Sequence, residues 1–441
     1  MYIGRHALKF PRPSGAQWLH RLHQQNGGHL SGGRTWRPAG ACASWEAGTL
    51  YTCRPSGTPK ATVTAPNAMA QSRSAFLLSP LLRRRAGTGY KRRMVQSLAS
   101  PDTGRSAPAS REIYLEAFRW MLLARTLEEK FAGLYRGGKI HGGVFLGKGQ
   151  EALSVSIGLA LRPGDVFAPL IRDTAGRLAF GEPLLDGVRT YLGSALGPMR
   201  GRDGNVHRGR PREGLLAMIS HLGAMISVVN GMLFAKRMKG QRDFVGVASI
   251  GDGATSTGSF HEAINQAAVE KLPLVLVVAN NQYAYSTPND RQFACRELVD
   301  KALGYGVEGH SLNGTRLADC LSQVAAVVER ARSGHGPQLI EARLLRLCGH
   351  GEHDDGNYVD AKLKSSAIGR DCLLAAEEEM CRAGWADAAA LQHWRQEVTE
   401  SVEHAVAKVQ HEPAPDPFNE EWSALASQNL VEGMAPAASP Q

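Results

Sequence analysis

One unit of this chain limits its fold more than any other. Two short, largely aliphatic runs, residues 244–250 and 274–279, are joined by a single stretch of helical periodicity over 259–270. Runs of that length without polar alternation are buried on both faces, the situation of strands in a parallel sheet covered by helices. Neighbouring segments repeat the pattern: helices are expected over 222–238 and 315–332, and strands over 166–171 and 338–345. The fold class expected is α/β, a doubly wound and mainly parallel sheet with helices on both faces. Upstream, Ile113, Ala117, Trp120, Met121, Ala124, Leu127, Phe131 and Leu134 recur at steps of three and four, one face of a long helix, and a second helix is expected over 150–161.

Charge divides the chain. The net charge is +10, yet residues 1–100 hold 15 Lys or Arg and a single acid, Glu46, so the remainder is net negative. A basic average therefore describes the extension, and no nucleic-acid partner is expected. Residues 1–108 mix Gly, Pro, Ser and Arg without a sustained period, and are expected to be a disordered leader. An Arg-rich, acid-poor leader also fits a mitochondrial transit peptide, and a start at Met69 or Met94 is the other reading. Localisation is accordingly expected to be cytoplasmic in the bacterial manner, or the mitochondrial matrix if the leader is a transit peptide. Residues 109–372 are expected to form the main domain, and 373–441 a helical C-terminal segment with a Pro-rich tail. The longest purely aliphatic run has six residues, so no membrane span is expected. Seven scattered cysteines without a CxxC pair fit a reducing compartment and argue against both a disulfide framework and structural zinc.

The chemistry concentrates where the two central strands end. The first runs into Gly251-Asp252-Gly253-Ala254, the second into Asn280-Asn281-Gln282-Tyr283. In a doubly wound sheet both segments leave at the same carboxyl edge, where ligands bind. Gly251 and Gly253 let the backbone approach a ligand, and a helix starting near Ser259 aims free N–H groups at an anion. Asp252 and Asn281, 29 positions apart, bring a carboxylate and an amide oxygen to one place. With a backbone carbonyl, two phosphate oxygens and a water they would complete an octahedron around Mg²⁺, so the residues read as a site for a metal-bridged diphosphate. The spacing is not GxGxxG, and GxxxxGK[ST] is absent, which excludes a dinucleotide fingerprint and a P-loop.

These residues resemble the thiamine diphosphate motif, in which GDG is followed by NN. Over about residues 114–422 the chain resembles, more narrowly, the alpha subunit of the decarboxylating first component of 2-oxo acid dehydrogenase complexes. The likeness is carried by Gly149-Gln150-Glu151-Ala152, Ile171-Arg172, Glu262-Ala263, Lys271-Leu272-Pro273, Gly336-Pro337 with Ile340-Glu341-Ala342, and Gly349-His350. The resemblance implies that Asp252, Asn281 and the Tyr283 backbone oxygen bind Mg²⁺. It implies that Gly253 and Ala254 line the diphosphate and that Arg172 pairs with a phosphate oxygen. Leu222 would prop thiamine in its bent form, a plain core leucine being the equal alternative. Ser220 and Leu222 remain from a stretch that in branched-chain relatives leads to a cation-binding Thr-Gln pair, replaced here by Ala224-Met225. His350 would be the catalytic histidine of a mobile active-site loop, and His207 a structural one.

The departures are informative. Phe145 stands where pyruvate-specific relatives carry a His, and Gly351 stands where animal relatives carry a regulatory serine. The resemblance further implies a beta subunit that supplies the activating glutamate, an α2β2 assembly, a lipoyl acyltransferase partner and a small 2-oxo acid substrate, either pyruvate or a branched-chain acid. An acetoin dehydrogenase alpha subunit, a non-oxidative thiamine enzyme and an idle scaffolding subunit are the competing readings.

Overall fold

The computed structural model describes residues 109–419. The expectations for residues 1–108 and for the end of the Pro-rich tail lie outside the described residues. Helix α1 (Arg111–Arg136) begins where its apolar stripe begins, capped by Ser110, whose Oγ accepts the Ile113 N–H at 3.4 Å. It is followed by α2 (Glu151–Ala160), strand β1 (Val166–Ala168) and the short helices α3 (Thr174–Phe180) and α4 (Leu184–Tyr191). Then come α5 (Ala224–Met238), β2 (Gly246–Gly251), α6 (Gly258–Val269) and β3 (Leu274–Asn280). A small hairpin, β4 (Tyr283–Ala284) with β5 (Thr287–Pro288), leads to α7 (Lys301–Gly304), β6 (Glu308–Asn313), α8 (Leu317–Arg332) and β7 (Gln338–Arg343). Helices α9 (Ala361–Lys364), α10 (Cys372–Arg382) and α11 (Ala388–Gln410) close the described chain.

The five-stranded sheet has the order β1-β2-β3-β7-β6 and is parallel throughout, the α/β arrangement expected. The β2–β3 ladder pairs Gly251 with Ala279, and the β3–β7 ladder pairs Asn280 with Arg343, so three carboxyl ends lie side by side. The path steps from β2 to β3 through α6, then from the edge strand β6 back to β7 through α8. With right-handed crossovers those two directions put α6 and α8 on opposite faces. Packing agrees: Ala248, Ile250, Leu276 and Val278 meet Ile226 and Val229 of α5 and Phe260 and Ile264 of α6 in one core. Helix α8 instead lies against α2 and the β6–β7 side.

Strand β1 stops at Ala168, three residues before the expected end, because Pro169 has no N–H for the ladder and the chain turns, the Asp173 Oδ2 accepting the Leu170 N–H at 2.7 Å. The last long helix lies along the first. Val398, Val402 and Val406 of α11 are buried, Phe118 of α1 meets Trp394 with centroids 6.2 Å apart, and Arg119 pairs with Glu397 at 3.0 Å. After α11 the chain is stitched to the end of α4 and the 193–203 segment: Glu412 receives Arg189 and Ser194, the Ala195 N–H donates to the Pro413 carbonyl at 2.8 Å, and Pro415 sits against Gly201.

Candidate active site

The site forms where β2, β3 and β7 end. Beyond Gly251 the chain enters a 3-10 turn (Asp252–Ser256), and Asp252 is buried, its Oδ2 accepting the Gln292 amide at 2.6 Å. Burial, the leading influence, raises the Asp252 pKa. Beyond β3, Gln282 (φ 76°) and Tyr285 (φ 54°) both occupy the left-handed region, and this irregular backbone turns the Tyr283 carbonyl back toward Asn281. Asn280 fixes the segment to the sheet, donating to Glu341 Oε1 at 2.7 Å and accepting Asn289 at 2.7 Å.

Three oxygen groups therefore meet. Where the Tyr283 N–H donates to Asn281 Oδ1 at 3.4 Å, the same end of the carboxamide lies 3.2 Å from Asp252 Oδ1 and 3.0 Å from the Tyr283 carbonyl oxygen. Oxygens that close need either a swapped amide, which would donate to both, or a cation among them. Neighbouring ligands of an octahedral Mg²⁺ with bonds of about 2.1 Å lie about 3.0 Å apart, so this donor set fits a hard divalent cation. Among the described residues no cluster of three His, Cys, Asp or Glu side chains offers a softer metal a place.

The anion side is built from two buried arginines. Arg172 is 3% exposed and its guanidinium donates to the carbonyls of Leu146 (2.7 Å) and His350 (2.6 Å). Burial first, then Cys348 and Glu128 pulling upward against Arg346, leave its pKa lowered to about 10. Arg346, equally buried, donates to the carbonyls of Cys348 (3.1 Å) and Tyr285 (2.9 Å) and to the Tyr358 hydroxyl (2.6 Å). Two cations whose hydrogen bonds run to neutral acceptors suit a multiply charged anion. Arg346 and Gln292 were not singled out from the sequence. In the sequence nothing separates Arg346 from a solvated arginine, and the acceptors that mark it come from tertiary contacts.

The loop after β7 is held rather than free. The His350 N–H donates to Asp354 Oδ2 at 2.5 Å, the same oxygen accepts the Tyr358 hydroxyl at 2.6 Å, and the Glu352 N–H donates to the Val144 carbonyl at 2.9 Å. A Cβ on Gly349 would run into the Asp354 carbonyl oxygen, so the fold-back admits only glycine. The His350 ring is half-buried, its Nδ1 is shut from water without a hydrogen-bond partner, and it lies 5.4 Å from Phe145 and 4.6 Å from Tyr285 by centroids. Burial first, then Arg172 and Arg346, depress its pKa to about 4, so the imidazole is neutral at pH 7.

Several expectations change. The Ala254 side chain belongs to the hydrophobic core, so only its backbone can face a ligand. Gly253 is needed for protein packing, since a Cβ there would sit 2.5 Å from the Ala284 Cβ. Gly251 instead faces open space, as close approach of a ligand requires. The start of α6 is already served by Thr257, whose Oγ1 accepts the Phe260 N–H at 3.4 Å, and the 3-10 turn stands between it and Asp252. Leu222 is 54% exposed, which removes the core reading, and Thr257 places it beside the Asp252 turn by donating to its carbonyl at 3.4 Å. Ser220 is exposed and bonded at 3.0 Å to His207 Nε2, whose Nδ1 meets Asp203 at 2.8 Å. Glu151 of the GQEA motif is tied to Arg125 (2.5 Å) and the Gly149 N–H (2.8 Å), a structural use.

Comparison with known proteins agrees with this geometry. The model of the dehydrogenase E1 component family matches residues 119–418. The alpha subunit of acetoin:2,6-dichlorophenolindophenol oxidoreductase from Cupriavidus necator is 32% identical over 320 residues, covering 72% of this chain and 96% of its own. The pyruvate dehydrogenase E1 component subunit alpha of Rhizobium meliloti is 32% identical over 314 residues, with 71% and 90% covered. The 2-oxoisovalerate dehydrogenase subunit alpha of Bacillus subtilis is 33% identical over 306 residues, with 69% and 92% covered. A parallel sheet whose adjacent strand ends carry Asp252 and Asn281, matched along most of the described residues, places the chain in the dehydrogenase E1 component family, whose members depend on thiamine diphosphate.

Proposed function

We propose that this chain is the alpha subunit of a 2-oxo acid dehydrogenase, which carries out oxidative decarboxylation of pyruvate or a branched-chain 2-oxo acid and passes the acyl group to a lipoyl carrier. The observation that carries the reading is the convergence of Asp252 Oδ1, Asn281 and the Tyr283 carbonyl beside two buried arginines that have no carboxylate partner among the described residues. In this reading those three groups hold Mg²⁺, and Arg172 meets the diphosphate, with the backbone of Gly251, Gly253 and Ala254 close by. When bound, thiamine diphosphate supplies the carbon nucleophile and the electron sink that decarboxylation requires. Leu222, with Ser220 nearby, offers the exposed apolar support beside that position. His350 faces the reacting region with a neutral ring that accepts or donates one proton at Nδ1.

The activating carboxylate belongs to a second chain in this proposal. Glu262, the tempting internal candidate, is exposed on α6. A beta subunit in an α2β2 assembly is the partner proposed, with a lipoyl acyltransferase receiving the product. The name of the Cupriavidus relative keeps an acetoin substrate as the second reading.

Asp252→Ala tests the metal site. Mg²⁺-dependent binding of thiamine diphosphate by the co-expressed alpha–beta assembly, followed by calorimetry, is expected to vanish while the thermal melt stays put. Unchanged affinity in this variant removes the metal assignment.

A further inference from the structure

Phe145 is the sharpest departure of this chain from the pyruvate-type pattern, and its surroundings are built to hold it. Its ring lies 5.4 Å from the His350 ring at 74° and 6.5 Å from the His353 ring at 87°. Two glycines make the room. A Cβ on Gly143 would stand 2.8 Å from Phe145 Cε2, and a Cβ on Gly351 would stand 3.2 Å from Phe145 Cε1 and 2.8 Å from His353 Cε1. Gly351 is thus the space into which Phe145 and His353 fit, and a serine there would displace one ring or the other. The Tyr285 ring, from a residue in the left-handed region, also meets the His350 ring, at 4.6 Å.

We propose that Phe145 is a positioning residue for His350: admitted by Gly143 and Gly351, its ring holds the imidazole between itself and Tyr285 and keeps water from it. This inference rests on the reading of His350 given under Proposed function. The groups facing the imidazole are Arg172 from the segment after β1, the Tyr285 ring from the hairpin, and Arg346, His353 and Asp354 from its own loop. Arg172, Arg346 and His353 disfavour a charged imidazole, and Asp354 favours it. Dehydration is the largest influence on this ring, and Phe145 is an aromatic side chain against it that comes from outside the loop and the hairpin. Loss of that ring admits water, so the imidazole becomes easier to protonate.

The test uses the full chain without cofactor, in which the His350 ring is followed by NMR titration and assigned by its loss in His350→Gln. Phe145→Leu is expected to raise the titration midpoint by about one pH unit, tenfold in protonated fraction, and Phe145→Tyr to restore it. Gly351→Ala, which pushes on the same ring without touching its chemistry, is expected to move the midpoint in the same direction. In the assembly with the beta subunit, Phe145→Leu is expected to lower acyl transfer to the lipoyl carrier about tenfold, with decarboxylation measured by an artificial electron acceptor falling far less. A midpoint that stays in place in both Phe145→Leu and Gly351→Ala overturns the proposal, as do equal losses in the two assays. The titration needs no turnover. A shifted midpoint in an assembly that decarboxylates no 2-oxo acid therefore sinks the functional reading and leaves the positioning role standing.

Discussion

Glu128 shows how much a single buried acid can govern in this molecule. It lies fully enclosed beside Glu151, with its Oε2 accepting the Gly147 N–H at 2.7 Å, and burial followed by Glu151 pushes its pKa up to about 8. In the unfolded chain the same group titrates near 4.3. Between those values the native state keeps a proton that the unfolded state has lost, so stability falls as pH rises across that window. Glu128→Gln retains an acceptor for Gly147 and removes the ionisation. It is expected to match the parent chain at pH 5 and to exceed it by on the order of 3 kcal/mol at pH 8, read from urea unfolding. A constant difference across that range would mean that Glu128 is charged in the folded state. Asp252 and Asn281 were legible in the sequence because their types and spacing name their chemistry in advance. Arg346 and Glu128 were not, because what makes each unusual is the set of neutral or like-charged neighbours that only folding brings.

At the level of elements, the loop after β7 depends on backbone closeness. Gly349→Ala forces the chain away from the Asp354 carbonyl, which releases the His350 N–H from Asp354 and uncouples Arg172 from the His350 carbonyl. The expected result is a loop open to limited proteolysis between 346 and 356, with a global melt lowered by only a few degrees, since the core lies on the far side of the sheet edge. Proteolytic protection equal to that of the parent chain would contradict it. Elements with strong periodicity were found from sequence within a few positions, among them α1, α5, α6, α8, β2 and β3. Strand β6 was missed for a physical reason: it is an edge strand reading Glu-Gly-His-Ser-Leu-Asn, in which Leu312 alone is buried, so it carries no aliphatic run. Helices α3 and α4 are too short for period to register, and the turn between them is fixed by ion pairs, Arg177 and Arg208 meeting Glu182 at 2.5 and 2.9 Å.

On the scale of the whole molecule, the far end of the described chain helps hold the near side of the site. Glu412, Pro413 and Pro415 fasten the 193–203 segment, and from that segment Asp203 reaches His207 and through it Ser220. Truncation after Gln410 is expected to raise amide hydrogen exchange over residues 193–207 and to weaken cofactor binding by the assembly about tenfold, roughly 1.4 kcal/mol. Exchange unchanged in that segment would show that the fastening is incidental. Charge alone predicted none of this, because the residues that form the stitch read in sequence as an ordinary polar and Pro-rich tail.

The pairing of α11 with α1 also fixes an order in time. Arg119 and its partner Glu397 are 278 positions apart, and Lys130 and Glu403 are 273 apart. At about 5–20 residues per second, a ribosome needs roughly 15–55 s to travel between them. Through that interval the strip of α1 around Phe118 has no Trp394 to meet, although the rest of the helix can already pack on α2 and α3. Helix α1 is therefore among the first parts of the body to be made and among the last to be sealed, and nascent chains stalled before residue 388 would still present that strip to whatever guards unfinished proteins.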